Sequence, residues 1–265
     1  MDKSKLLDRV SGDREDRLLL AKVLDRAEQT RNRSIPTYTD FLSPQQQMLA
    51  VDLLRLAGIG ETSYTVLGGY GGAERNILLF LPEWMEAADA QTQSPIRLLR
   101  ASFRPEFHLT HRDFLGSLMG MGIVREKVGD ILVGKEHCDL AVLDTVAEFL
   151  LQNWDSAGRA KLQVAAIEPV ELQVPEAACE MIRDTVSSLR LDAVVSTGFK
   201  MARGKAVALI ESGKVQVNWR ECTKPDKLVE AETVVSARGL GKFELTEVGG
   251  VTRKGRISIV VKRYI

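Results

Sequence analysis

The chain reads as an α+β protein built from several modules, and three observations lead there. Its 265 residues exceed a single ordinary domain of about 100–200 residues. Strand-like and helix-like stretches follow one another as β-α-β-β-α-β between residues 96 and 167. Beyond residue 183, two short helical stretches lead into a run of strands. One large catalytic barrel does not fit this pattern, and the reading divides the chain into modules at 1–92, 93–180 and 183–265.

The first module predicts helices and then a hairpin. Residues 13–31 carry Leu18, Leu19, Val23, Leu24 and Ala27 at helical spacing with charges between them, so one face is buried and the other wet. Ser43-Pro44-Gln45-Gln46 announces a second helix: a hydroxyl N-cap, proline in the first turn, and glutamine three residues after the cap. Gly58 ends it. Runs at 64–67 and 77–81 flank Gly68-Gly69-Tyr70-Gly71-Gly72, which predicts an antiparallel hairpin. A phosphate-cradling loop needs a helix after it, and here a strand follows. Arg75 beside the loop is a candidate RNA contact. Residues 91–95 read as a linker.

In the second module the strands are expected at 96–103, 130–133, 137–143 and 161–167, with helices at 110–121 and 144–154. That order is the ferredoxin-like arrangement shared by RNA-recognition motifs. Base stacking on such a sheet requires aromatics on its central strands. Only Phe103 is available there, so any RNA contact is expected to rest on charge and shape. His108, His111 and Asp113 lie close in sequence, but Thr110 and Asp113 read better as a helix start than as part of a metal site. Gly116 and Gly120, four apart, predict close packing against the sheet.

The third module predicts helices at 188–197 and 203–212, each closed by a glycine, and strands at 214–218, 233–237, 243–248 and 257–261. Charge separates it from the rest. The whole chain is neutral, with 36 basic and 36 acidic residues, yet residues 183–265 hold 16 Lys and Arg against 9 Asp and Glu. The module carries +7 and the remainder −7, and a basic module of this size is the footprint of a polyanion partner.

Other features exclude functions. The longest apolar runs, at 77–81 and 257–261, fall far short of the roughly 18 residues of a membrane helix. The polar start leads into no apolar signal core. Cys138, Cys179 and Cys222 show neither C-x-x-C pairing nor neighbouring histidines at metal-ligand spacing. Reduced thiols in a cytoplasmic protein without membrane insertion are expected, with no catalytic residue, metal or cofactor.

Arg190-Leu191-Asp192, Arg203, Lys205-Ala206, Leu209-Ile210, Gly213 and Val215-Gln216-Val217-Asn218 closely resemble the S4 RNA-binding domain. The expected RNA surface consists of Arg190, Lys200, Arg203 and Lys205 on the two helices, extended by Lys214 and Asn218. Ala202 stands where the family often has serine, and Gly204 follows Arg203. The same Arg-Leu-Asp letters occur in pseudouridine synthases, but the Thr-Gly that should follow is out of register at Thr197-Gly198. Asp192 is therefore expected to favour the helix dipole and orient Arg190.

Over nearly its whole length the chain resembles the YlmH family, whose cyanobacterial and plastid members are called photosystem II S4 domain proteins. The resemblance rests on Phe41-Leu42-Ser43-Pro44, on Gly68-Gly69-Tyr70 with Ala73-Glu74-Arg75, and above all on residues 111–126 with Gly129-Asp130-Ile131. It implies an N-terminal domain, an RRM-like domain and a C-terminal S4 domain. It also implies structured RNA as partner, ribosomal RNA or tRNA on the large ribosomal subunit. Arg190 and Arg203 match the RNA-touching basic positions of small S4 proteins. The alternatives are an S4-targeted RNA-modifying enzyme and an assembly factor for photosystem II or cell division that docks a protein through residues 1–180.

Overall fold

Capping chemistry sets where the first helices begin. In the computed structural model, which describes residues 3–176 and 179–264, Asp13 accepts the backbone N–H groups of Glu15 and Asp16 and starts α2 (Arg14–Arg33). Ser43 and Gln46 form the expected reciprocal box at the head of α3 (Pro44–Leu56). A short helix that the sequence reading passed over, α1 (Lys3–Val10), precedes them and buries Leu6 and Leu7. Leu20, Val23 and Leu24 of α2 and Ala50, Leu53 and Leu54 of α3 close one apolar cluster with α1.

Thr37–Tyr38 (β1), Tyr64–Leu67 (β2) and Ile77–Phe80 (β3) form a three-stranded antiparallel sheet in the order β1-β3-β2. Next come β4 (Ile96–Ser102), α4 (His111–Gly120), β5 (Val128–Val133), β6 (His137–Leu143) and α5 (Asp144–Asn153). A small hairpin, β7 (Ser156–Ala157) with β8 (Ala160–Lys161), leads to β9 (Gln163–Ile167). The sheet order β5-β6-β4-β9 is fully antiparallel, as the ferredoxin-like order requires. Alternation along β4 and β6 sorts side chains to two faces. Leu99, Ala101, Leu140 and Val142 pack with Phe114 and Leu118 of α4 and Leu150 of α5. Leu98, Ala141 and Leu143 point the other way.

That second face is covered. Leu98 and Ala141 share a buried cluster with Phe41, Leu67, Ile77 and Leu79. Gly69 and Gly129 permit the approach: a β-carbon on Gly69 would stand 3.1 Å from Leu98, and one on Gly129 would stand 2.8 Å from the Phe41 ring. Residues 1–175 consequently form one compact unit, and the apolar cluster runs across the boundary drawn at residue 92.

Residues 176–265 form the second unit. It begins with β10 (Cys179–Val186), where the sequence reading left residues 176–187 without an element. The helices α6 (Leu191–Gly198) and α7 (Arg203–Glu211) follow. Then come β11 (Val215–Val217), β12 (Arg220–Glu221), β13 (Thr233–Ala237), β14 (Gly241–Val251) and β15 (Ile257–Tyr264). The order β10-β15-β14-β13-β11-β12 gives a six-stranded antiparallel sheet. Val194, Val195 and Ile210 of the helices pack on Val215, Val235, Phe243 and Val261. Gly198 is required because a β-carbon there would lie 2.5 Å from Phe243, whose ring meets Phe199 edge-on at 5.0 Å.

Candidate RNA-binding surface

The first turn of α6 is held by a loop distant in sequence. The N–H groups of Leu191 and Asp192 donate to the carbonyls of Lys227 and Pro225 at 2.8 and 3.0 Å, and Val229 N–H donates to the Leu189 carbonyl. These bonds satisfy donors that a helix start leaves open. They also place the exposed Lys224 and Lys227 on the loop beside Arg190. The sequence reading missed both lysines, since only tertiary pairing brings the Lys224-Pro225-Asp226-Lys227 turn to the helix.

Asp192 is the centre of this surface. Its side chain is 3% exposed, and Arg190 Nε and Nη2 donate to its two oxygens at 3.3 and 3.1 Å. Arg203 Nη2, from the first turn of α7, donates to both oxygens at 3.0 Å. The guanidinium side chains remain 39% and 50% exposed. Burial by itself raises the Asp192 pKa, but the hydrogen bonds and charges of the two arginines outweigh it and hold the carboxyl below its ordinary value. The same hydrogen bond pushes Arg190 upward. Asp192 thus orients Arg190, as the sequence suggested, and Arg203 as well.

The other expected residues are arranged less uniformly. Lys205 is exposed in the same helical turn as Arg203. Lys214 is exposed just before β11. Lys200 lies beyond the far end of α6 in a left-handed conformation (φ 52°) and pairs with Glu180 of β10. Asn218 is also left-handed, and its side-chain oxygen accepts the Val234 N–H at 2.9 Å while its own N–H donates to the Val234 carbonyl. Asn218 therefore ties a turn to β13. Lys242 lies 5.8 Å from the centre of the Trp219 ring and 4.7 Å from that of Tyr264.

In the first unit the structure overturns some expectations and bears out others. Arg75 does not face outward for RNA: its guanidinium donates to the carbonyls of Val128 and Phe41 at 3.1 and 3.0 Å. Phe103 is buried against Phe114, with ring centres 5.5 Å apart. Asp113 accepts the Thr110 N–H and hydroxyl at 2.8 and 2.7 Å, which is the helix start read from the sequence. A β-carbon on Gly116 or Gly120 would meet nothing within 4 Å, so close packing against the sheet is not their role. On the sheet face that carries Leu98 and Ala141, Arg100 binds the fully buried Asp139 through two 2.7 Å bonds, and the Gln173 N–H also donates to Asp139. No group of three or more metal-ligating side chains occurs among the described residues. No described helix is long and apolar enough to cross a membrane.

Comparison with known proteins matches two stretches of the chain. Residues 91–171 match a family described as the putative RNA-binding domain in YlmH, and residues 189–235 match the S4 domain. The ribosome-associated protein quality control protein P2 of Bacillus subtilis is 32% identical over 226 residues, spanning 85% of this chain and 86% of that protein. The chain belongs to the YlmH family. The solved cell division protein ylmH from Streptococcus pneumoniae, 22% identical with a TM-score of 0.51, covers 62% of this chain and 98% of its own, and so shares the fold. This YlmH-family chain carries RNA-binding domains, and its Bacillus relative is by name ribosome-associated.

Proposed function

We propose that this chain is a non-catalytic, cytoplasmic binder of structured RNA that engages ribosomal RNA or ribosome-bound tRNA on the large subunit. The contact is the surface around Arg190 and Arg203, flanked by Lys205, Lys214, Lys224 and Lys227. Lys200 and Asn218 contribute at its margin. The observation that carries this reading is the pair of half-exposed guanidiniums set around one buried carboxylate in a module of net charge +7. Guanidiniums suit phosphate because their N–H groups match its oxygens in pairs. Such contacts read backbone shape rather than base identity.

Asp192 supports a binding role over a modifying one, since the carboxylate that a pseudouridine synthase would use is engaged by two arginines and removed from solvent. The acidic remainder repels phosphate and confines RNA to the basic module. Charge reversal at both arginines, R190E with R203E, tests the reading by co-sedimentation of the full chain with purified large subunits. Loss of co-sedimentation by the folded variant is expected, with folding checked by circular dichroism because the buried Asp192 loses both of its partners and thermal stability falls. Undiminished co-sedimentation would sink it.

A further inference from the structure

We infer that Arg190, Asp192 and Arg203 form one preassembled clamp for a single RNA phosphate group, in which Asp192 is the positioning residue. The inference rests on the RNA-binding reading above and adds how the surface works. Two arginines, one capping the start of α6 and one in the first turn of α7, reach the same carboxylate. Their Nη2 atoms lie 3.1 and 3.0 Å from the same Asp192 oxygen, which keeps the two nitrogens within about 6 Å of each other. One phosphate fits both. Asp192 itself lies beneath them and is 3% exposed, so a phosphate on the outer side meets the guanidiniums and not the carboxylate.

The clamp is assembled before RNA arrives. An unbraced arginine samples many rotamers and loses them on binding, at a cost of about 0.5–1.5 kcal/mol per side chain. Asp192 takes most of that loss in the folded free protein, for two side chains together. A bare charge count makes the opposite prediction: removing Asp192 leaves the surface one unit more positive and should tighten RNA binding. Asp226, which also acts on Arg190 electrostatically, leaves that contrast unchanged because it stays in place in every variant.

The sign of one substitution decides between these views. For D192N in the full chain, binding a fragment of large-subunit ribosomal RNA, affinity is expected to fall about five- to hundredfold, the ordering cost of two arginines expressed as a ratio. Affinity equal to or tighter than the parent overturns the clamp. If D192N does not fold, the arginine variants carry the test through the dependence of affinity on salt. A shared phosphate predicts that the R190A/R203A double variant lowers the salt slope by about 1, with each single variant lowering it by no more than that. Independent contacts predict a loss of about 2 in the double variant, which overturns the clamp while leaving the RNA surface standing. If none of the arginine variants changes affinity, the RNA-binding reading fails along with it.

Discussion

The two units each set a pair of arginines near an aspartate, and they use them for opposite ends. In the first unit, Arg75 and Arg125 lie near Asp130. Arg75 donates to the Phe41 and Val128 carbonyls, and Arg125 donates to Val128 and, at 2.9 Å, to Gly129. Asp130 accepts the Tyr70 hydroxyl at 2.8 Å and the backbone N–H groups of Glu74 and Arg75. Burial, together with the charge of Arg75, lowers Arg125 to about 10, and burial lowers Arg75 as well. In the second unit Arg190 is raised by its hydrogen bond to Asp192, and both guanidiniums face water. Arginines turned toward carbonyls fasten the hairpin to the four-stranded sheet. Arginines braced from beneath keep their guanidiniums partly exposed to solvent.

The largest expected effect removes the fastening. R75A removes the side-chain donor of the Phe41 carbonyl and one of the two side-chain donors of the Val128 carbonyl, and should destabilise the first unit by about 3 kcal/mol in denaturant titrations. RNA affinity per folded molecule should stay at the parental value. R203A should do the reverse, lowering affinity with a smaller stability loss of about 1–2 kcal/mol from its hydrogen bonds to the buried Asp192. If R75A weakens RNA binding in the folded fraction, the contrast between the units breaks.

A smaller loss is expected from G129A. Its methyl group must enter the space held by the Phe41 ring and the Ala141 side chain. Overpacking there should cost about 2 kcal/mol, measurable by calorimetry, and would confirm that the hairpin is seated on the sheet face. An unchanged melting profile would show that the face is open.

Acid sharpens the other side of the comparison. The folded Asp192 carboxyl lies below its ordinary pKa of about 3.9. Its stabilisation is therefore fully present above that value and is lost as pH falls through the lower folded value. Acid titration of the parent and D192N, followed by circular dichroism, should show a shallower stability loss in the variant at the acid end. Parallel curves would mean that Asp192 is not held by its arginines.

The smallest effect is expected at Gly204, in the first turn of α7, where a β-carbon would meet nothing within 4 Å. G204A should raise stability by about 1 kcal/mol through helix propensity alone. An RNA affinity that falls at the same time would place the RNA backbone against this turn.

Local chemistry was legible in the sequence. The Ser43 box, the hairpin around Gly68–Gly72, the β-α-β-β-α-β order and the break between α6 and α7 all follow from residue type and spacing. What escaped depends on partners far away in the chain. Leu98 and Ala141 read as ordinary alternating strand residues, and nothing local says that Phe41 and Ile77 cover them. The alternation in β10 is obscured by Glu180, Arg183 and Asp184, and its pairing with β15 alone makes it a strand. At the candidate RNA surface, Arg190 and Arg203 were readable as a pattern. Their meeting at Asp192, the nearby Lys224 and Lys227, and the engagement of Lys200 by Glu180 required the fold.

Ultraviolet crosslinking of the full chain to large-subunit ribosomal RNA, followed by mass spectrometry of the crosslinked peptides, tests the central claim most directly. Crosslinks are expected within residues 190–205 and 224–228, with none on β4 or β6. Crosslinks concentrated on β4 and β6, with residues 190–205 unmarked, would contradict the account.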